Sequence, residues 1–399
     1  MFAPTADGGH ARYTWELLNA LSVYPGAPYQ VELVSSRDLD RQFYSDNYPV
    51  HPILPPIVDR KTFATRFGWI ANRLTHYPRR EWALLKWLKG RADVSAVHFQ
   101  EWTVWLAAPF FRRVRAMGKR VYYTAHNVVP HKYPKSVPRS VVNHWIRSAW
   151  RECDGLFVHT PRLADELSRF ARGNHPPIHV VPHGVWTVHD FAAGRKPADR
   201  LADKRLLFFG SIRANKGIEL LLRAMEHLHD YSLTIAGEPV HHEFFETRVR
   251  PLIAEMRATG AKINLIDRFV PDDHVASLIA GHSAIVLPYT SNFVAQSGVV
   301  YTALAYEIPV VASEAGGLRE LLNEYRIGQT FTEPTPHALA QAVRQLHSAP
   351  ADDLAQQVQL AKRRYSWKEA ARATFAGYAA ETEPIVPEHD CIVSTTAAN

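Results

Sequence analysis

The stretch FFGSIRANKG, residues 208–217, places Arg213 and Lys216 directly after an apolar run that ends at Gly210. Cations at the exit of a buried strand suit an anion, and the N–H groups of a following helix N-terminus add to the attraction. The natural ligand is a phosphate or pyrophosphate. An isolated turn of this composition can equally be a solvated surface feature. ADGGHARYTWELL offers a second loop of phosphate type, in which Gly8 and Gly9 let backbone approach a ligand ahead of a helix. It lacks the third glycine of the dinucleotide fingerprint, and an ordinary strand–helix turn reads the same way. In YTAHNVVPH, His126 ends an apolar strand at an edge where ligands bind and is followed by Asn127, while His131 reads as a loop histidine. No metal site is expected, because no cluster of Cys, His or carboxylates accompanies them. Asp38 and Asp40 form an Asp-x-Asp pair in SRDLD that reads as a solvated loop. In YTSNFVAQSGVVYTALAYEIPVVASEAGG a strand ends at Pro288, and Ser297 and Gly298 then present hydroxyl and N–H donors at the start of a helix.

The elements that must position these residues alternate. RLLFFG, YSLTIAG, INLIDRFV, SAIVLPY and PVVAS are short apolar runs with strand character. IELLLRAMEHL, HHEFFETRVRPLIAEMRATG, DDHVASLIAG, GVVYTALAYE and LRELLN between them have helical spacing. Strand and helix in alternation with short connections predict a parallel, doubly wound sheet. The first half repeats the rhythm in YQVELVSS, VSAVHFQ, KRVYYTAHN, GLFVHT and IHVVPH. The opening MFAP reads as the back half of a first strand. The fold class is therefore α/β, with two doubly wound, Rossmann-like domains, and ligands are expected beyond the carboxyl ends of the strands. The boundaries fall at 1–182 and 183–365, near VPHGVWTVHD, and residues 188–204 read as an exposed connection. A final helix at about 366–380 precedes an aperiodic tail, 381–399, expected to be disordered.

Composition narrows the classes. Hydrophobic residues make up 46% and charged residues 21%, an ordinary globular balance. Cys153 and Cys391 provide no disulfide framework, which suits a reducing cytosol. No signal peptide is read at the start, and the uncharged stretch 277–306 is broken by Pro and Gly rather than built to span a membrane. Residues 1–180 hold 25 Lys/Arg and 14 Asp/Glu, whereas 181–399 hold 21 and 25. Such asymmetry predicts that the first half meets an anionic surface. Residues 59–91 concentrate it, with nine Lys/Arg, two acids, an apolar face of Phe63, Phe67, Ile70 and Leu74, and three tryptophans, Trp69, Trp82 and Trp87. That segment suits an anionic membrane leaflet, with Arg66, Arg73, Arg79 and Arg80 in contact; a core-packed helix with a solvated basic face is the alternative. No helix-turn-helix, zinc or RNA-binding signature appears, so no nucleic-acid partner is expected.

Taken in order, GGHARYTWELL, TAHN, VPHG, FFGSIRANKG, LTIAGE, RFVPDD, EIPVVASEAGG and YSW resemble the family-4 retaining glycosyltransferases of GT-B fold over about 360 residues. The resemblance implies a cleft between an acceptor-side first domain and a nucleotide-sugar-binding second domain, with the final helix crossing back onto the first. It implies that Arg213 and Lys216, beside Gly210, grip the donor diphosphate and that Gly9 approaches it across the cleft. His126 would face the donor sugar. Arg268 to Pro271, including Val270, would lie along the base. Two departures stand out. Ser211 occupies the position directly after the strand glycine where many relatives have arginine. Phe293 and Tyr301 occupy the two glutamate positions of the family, so Tyr301 would hold the ribose with one hydroxyl, and Gln296 and Ser297 would take over part of the first glutamate's role. The implied activity is retaining, metal-independent transfer from a UDP- or GDP-sugar to a saccharide or lipid-linked acceptor, with no resident cofactor, in exopolysaccharide or glycolipid assembly. The expected place is the cytoplasm, peripheral on the inner face of the membrane. A nucleotide-sugar 2-epimerase of similar fold is the runner-up, and a non-catalytic membrane-binding relative the other alternative.

Overall fold

A computed structural model describes residues 1–380 apart from 6, 7, 40–45, 57, 59–61, 104, 131, 132, 135, 136, 189–199, 294–296, 316 and 317, and apart from the side chain of Arg66. Asp40, His131, Gln296 and the tail 381–399 thus lie outside the described residues.

Two parallel sheets form. The first contains β1 (Phe2–Ala3), β2 (Leu33–Ser36), β3 (Val50–Leu54), β4 (Ala96–Phe99), β5 (Arg120–Thr124), β6 (Gly155–Val158) and β7 (Ile178–Val180), in the order β3-β2-β1-β4-β5-β6-β7. The second contains β8 (Arg205–Phe209), β9 (Ser232–Ala236), β10 (Lys262–Ile266), β11 (Ala284–Leu287), β12 (Val310–Ser313) and β13 (Gly328–Phe331), in the order β10-β9-β8-β11-β12-β13. Every strand pairing among the described residues is parallel, such as Leu207 beside Thr234 and Val286 beside Val311. Helices cover both faces, which is why β6, β11 and β12 are buried along their whole length and read as unbroken apolar runs. The winding reverses between β1 and β4 in one sheet and between β8 and β11 in the other. Crevices at such switch points, outside the carboxyl ends of the strands, are where doubly wound sheets bind ligands.

The two sheets are joined by paired crossings. Val185 N–H donates to Tyr365 O at 2.6 Å, so the outgoing and returning segments run side by side. The last helix, Trp367–Ala380, packs on the first helix, Gly8–Ser22, and on β6 and β7 of the first sheet. Trp367 is seated against Gly184, where an added Cβ would lie 2.1 Å from the indole ring. Only a glycine lets the ring approach that closely.

The connection 188–204 departs from expectation at its end. Arg200 is buried, and its guanidinium donates to Ile279 O and His282 O at 3.0 and 3.1 Å. Backbone carbonyls left at a helix end satisfy the cation, which is why an arginine is tolerated inside. The basic segment forms the helix Arg66–Leu88, capped by Thr65 and carrying Pro78 in its interior. Arg80 on that helix is 3% exposed and donates to Pro4 O, so it faces the protein and not an external surface. Among the described residues no helix is long and apolar enough to cross a membrane.

Candidate active site

In the second domain the loop after β8 is locked from several sides. Gly210 has φ +100° and donates its N–H to Ala236 O at 2.9 Å. Ile212 continues the pairing, donating to Glu238 O at 2.9 Å. Ala214–Lys216 form a single 3-10 turn that ends at Gly217, φ +67°. A Cβ at Gly217 would stand 1.7 Å from Pro288 O, so glycine is required both by the left-handed backbone and by contact with the segment after β11. Thr290 N–H donates to Asn215 O at 3.1 Å and ties the same two loops together. The helix Ile218–Ala224 starts only after this turn, and Lys216 N–H and Gly217 N–H are used within it, on Arg213 O and Ala214 O. Attraction for an anion therefore falls chiefly on the side chains of Arg213 and Lys216.

Arg213 is exposed, whereas Lys216 is half-buried with Nζ 5.4 Å from the Tyr289 ring centroid. An added Cβ at Gly210 would lie 3.4 Å from that Nζ, so the ammonium sits at the mouth of the strand-end turn. Among the described residues no carboxylate forms an ion pair with either cation. Burial, with Arg213 as the second cause, pushes the Lys216 ammonium down to about 8. A sheltered, unpaired cation is costly unless it meets an anion in use.

The first domain contributes a nest of histidines. His126 Nδ1 lies 2.9 Å from His159 Nε2, and His159 Nδ1 lies 3.2 Å from Val181 O. Burial holds His126 well below the usual imidazole range and His159 down to about 4, so both are neutral. The tautomers follow from the last partner. A carbonyl only accepts, so His159 carries its proton on Nδ1 and offers a lone pair at Nε2. His126 must then donate from Nδ1, which leaves its Nε2 a lone pair. That atom is buried and has no hydrogen-bond partner. It is a ready acceptor for a substrate hydroxyl. Tyr13 braces the nest, its ring 4.9, 5.0 and 5.2 Å from His126, His159 and His183. His126 also lines a cavity of about 350 Å³ with Phe99, Trp102, Tyr123, His10 and Glu101.

Contacts bring the two halves together. Arg12 Nη1 lies 3.6 Å from Asp272 Oδ2 on the helix Asp272–Ala280, and the guanidinium lies over Trp186 at 4.9 Å. Trp186 Nε1 donates to Gly298 O at 2.9 Å. Tyr301 is 2% exposed and stacks on His183 at 4.2 Å and 14°, so it is a core residue binding the domains and not a side chain at an open surface. An aromatic ring at that position finds a ring to stack on, where a carboxylate would have needed solvent or a ligand. Ser297 is buried and spends its hydroxyl on Tyr289 Oη at 2.9 Å instead of capping the helix Gly298–Ala305. Gly298 is exposed at that helix start. Arg268 and Val270 line a separate groove with the helix Asp272–Ala280. Gly8, φ +79°, and Gly9 are exposed with nothing within 4 Å of an added Cβ, so their loop is open to approach. Asp38 accepts a hydrogen bond from Ser36, and among the described residues no three His, Cys, Asp or Glu gather as a metal site. Sequence reasoning passed over His10 and Glu101. Glu101 follows two residues after β4, whereas His10 lies inside the helix Gly8–Ser22, seven residues past β1.

The comparisons agree with this geometry. The family model for Glycosyltransferase Family 4 matches residues 7–189, and that for Glycosyl transferases group 1 matches residues 203–349. The chain is 27% identical to a GDP-mannose:glycolipid 4-beta-D-mannosyltransferase of Xanthomonas campestris pv. campestris, over 56% of this chain and 59% of that protein's length. It is 28% identical to a D-inositol 3-phosphate glycosyltransferase of Xylanimonas cellulosilytica, over 79% of this chain and 73% of the relative. Sucrose-phosphate synthase from Thermosynechococcus elongatus shares the fold, with TM-score 0.69, 17% identity and coverage of 95% and 97% of the two chains. With two Rossmann-like sheets whose ligand edges meet and family matches over both, the chain belongs to the family-4, group 1 glycosyltransferases of GT-B fold.

Proposed function

We propose that this chain transfers a sugar from a nucleotide-diphosphate-sugar to an acceptor hydroxyl, with Arg213 and Lys216 holding the diphosphate. The observation that carries it is the sheltered Lys216 ammonium, which meets no carboxylate among the described residues, at the switch point of the second sheet. As the bond from the sugar C1 to the diphosphate lengthens, charge grows on the leaving oxygens. Cations already in place stabilise that charge at no reorganisation cost. His126 Nε2 would accept from a hydroxyl of the bound sugar, and the groove at Arg268 and Val270 would take the base, with the exposed Phe269 ring beside it. Gln296 and Ser297 near the transferred sugar belong to the same reading.

Retention, which the resemblance implies, would send the acceptor proton to a donor phosphate oxygen. We propose that the reaction uses no metal, because two side-chain cations already offset the diphosphate, so activity should survive EDTA. A lipid-linked or saccharide acceptor and work at the inner membrane face, in exopolysaccharide or glycolipid assembly, complete the proposal. The name of the Xanthomonas relative supports the lipid option. The helix Arg66–Leu88 supports the surface, since Phe67 is 81% exposed and Leu74 57%.

The test is nucleotide release from UDP-glucose, GDP-mannose and other nucleotide sugars. Arg213→Ala or Lys216→Ala should cut kcat/KM at least about tenfold, since each charge-assisted contact contributes about 1.5–3 kcal/mol. Turnover like wild type in both variants would reject the assignment.

A further inference from the structure

The cavity of about 350 Å³ in the first domain lies beyond the carboxyl ends of β1, β4 and β5, among the loops that follow them. Phe99, Phe110, Phe111 and Trp150 line its depth, and each is at most 4% exposed. Tyr123 joins them and stacks on Trp102, with ring centroids 4.3 Å apart and planes at 14°. The more exposed residues of the wall mark the mouth. They are Trp102, Val128, Val129 and Pro130, with His10 and Glu101 paired at 3.3 Å. Two residues along the helix from His10, Arg12 reaches Asp272 of the second domain, so the mouth fronts the cleft. The inner wall offers few partners to a hydrated ligand. Arg80 donates to Pro4 O, and burial pushes the Glu81 carboxyl up to about 8, so it is neutral at pH 7.

One side of the cavity is the helix Arg66–Leu88. Phe67, Ile70, Leu74, Tyr77 and Glu81 follow one another at spacings of three and four, so they share one face of it. The first three are 81%, 39% and 57% exposed, whereas Tyr77 and Glu81 line the cavity. A single helical face therefore runs from an exposed apolar stripe to the cavity wall.

We propose that the acceptor is an alcohol on an apolar body, that this body fills the cavity, and that its hydroxyl stays at the mouth to meet the donor. The proposal rests on the glycosyl-transfer reading above and names its acceptor class. Apolar surface buried against aromatic walls supplies the affinity. A saccharide chain in the same place would give up water for few hydrogen bonds. The stripe on Arg66–Leu88 makes a membrane lipid the source, because a chain leaving a bilayer along it stays on apolar surface until it enters the cavity. The acceptor oxygen forms its bond to C1, and the bond from C1 to the diphosphate breaks with its electron pair on the leaving oxygen. The hydroxyl proton goes to a diphosphate oxygen, as a retaining course requires. The products are the glycoside of the alcohol and the nucleoside diphosphate. Trp102, Val128 and Phe110 set acceptor specificity and touch no reacting atom.

The experiment uses the full chain, the nucleotide sugars named above and straight-chain primary alcohols from methanol to octanol. Each buried methylene contributes about 0.8 kcal/mol, so kcat/KM for the alkyl glycoside should rise about fourfold per added carbon and then level off when the cavity is full. A flat series, or glucose and maltose used in preference to octanol, overturns the inference while leaving glycosyl transfer intact. Failure of every donor to release nucleotide with any acceptor, the sugars included, overturns both. Phe110→Ala lengthens the cavity and should move the levelling to a longer alcohol; an unmoved plateau counts against the cavity. Val128→Trp narrows the mouth from a half-exposed loop. It should cut transfer to octanol at least about tenfold while the rise in melting temperature with UDP or GDP stays as in the wild type. Undiminished transfer in that variant overturns the assignment. Hexadecanol embedded in vesicles tests the source, and it should be glycosylated faster from anionic than from neutral phospholipid. Transfer to octanol with embedded hexadecanol inert would make the acceptor a small soluble alcohol and overturn the role of the stripe.

Discussion

Burial pushes the Lys216 ammonium down to about 8, with Arg213 adding to the shift, so the free protein loses this cation as pH rises through that value. A diphosphate favours the charged form and must bring a proton with it above that pH. Affinity for UDP or GDP should therefore weaken between about pH 7 and about pH 9, with proton uptake on binding. Lys216→Arg should flatten the dependence, because a guanidinium stays charged throughout. Calorimetry in two buffers of different ionisation enthalpy reads both effects, and an affinity independent of pH would contradict this account of Lys216. Gly217 makes a separate prediction. With φ +67° and a virtual Cβ 1.7 Å from Pro288 O, alanine is excluded by both backbone and space. Gly217→Ala should cost about 1–3 kcal/mol or more, the range for strained backbone, and should lower the melting temperature and nucleotide affinity together. An unchanged melting temperature would show that the two loops are not locked as described.

Among the elements, the helix Arg66–Leu88 shows what periodicity can and cannot tell. The exposed stripe of Phe67, Ile70 and Leu74 was legible from spacing alone, and Trp82 is exposed as well, at 63%. Phe63 lies ahead of the helix start, and Arg80 turned out to face inward. Spacing identifies a stripe but not the partner that captures one basic residue, and the carbonyl of Pro4 is 76 residues away. The surface prediction accordingly rests on Arg73, Arg79 and Lys86 with the exposed apolar side chains. The protein should sediment with anionic but not neutral vesicles, and added salt should weaken binding. The triple change to glutamine should weaken it by about 1 kcal/mol per residue. Equal indifference to both vesicle types would remove the membrane proposal without touching the transfer site. The loop after β8 is a second case. Its cations and glycines were legible, but the 3-10 turn that separates them from the helix was not, because it depends on contacts with the loops after β9 and β11.

At the scale of the molecule, the two doubly wound sheets could be read because parallel strands buried on both faces must be short apolar runs between helices. What brings the domains together was not readable. Arg12 and Asp272, or Tyr301 and His183, are joined only by the closed fold, and Tyr301 was placed at a ribose when its ring lies in the core. The same blindness hid the His10–Glu101 pair, whose members come from the first helix and from the segment after β4. The central claim is that the edge of the second sheet holds a nucleotide diphosphate on Arg213 and Lys216. It is tested most directly by the melting temperature of the full chain with UDP or GDP. A nucleotide at about 100 times its Kd adds about 2.7 kcal/mol of stability. The account predicts that at least one of the two raises the melting temperature by a few degrees and that Arg213→Ala and Lys216→Ala each reduce the shift. No shift with either nucleotide, or an undiminished shift in both variants, would contradict it.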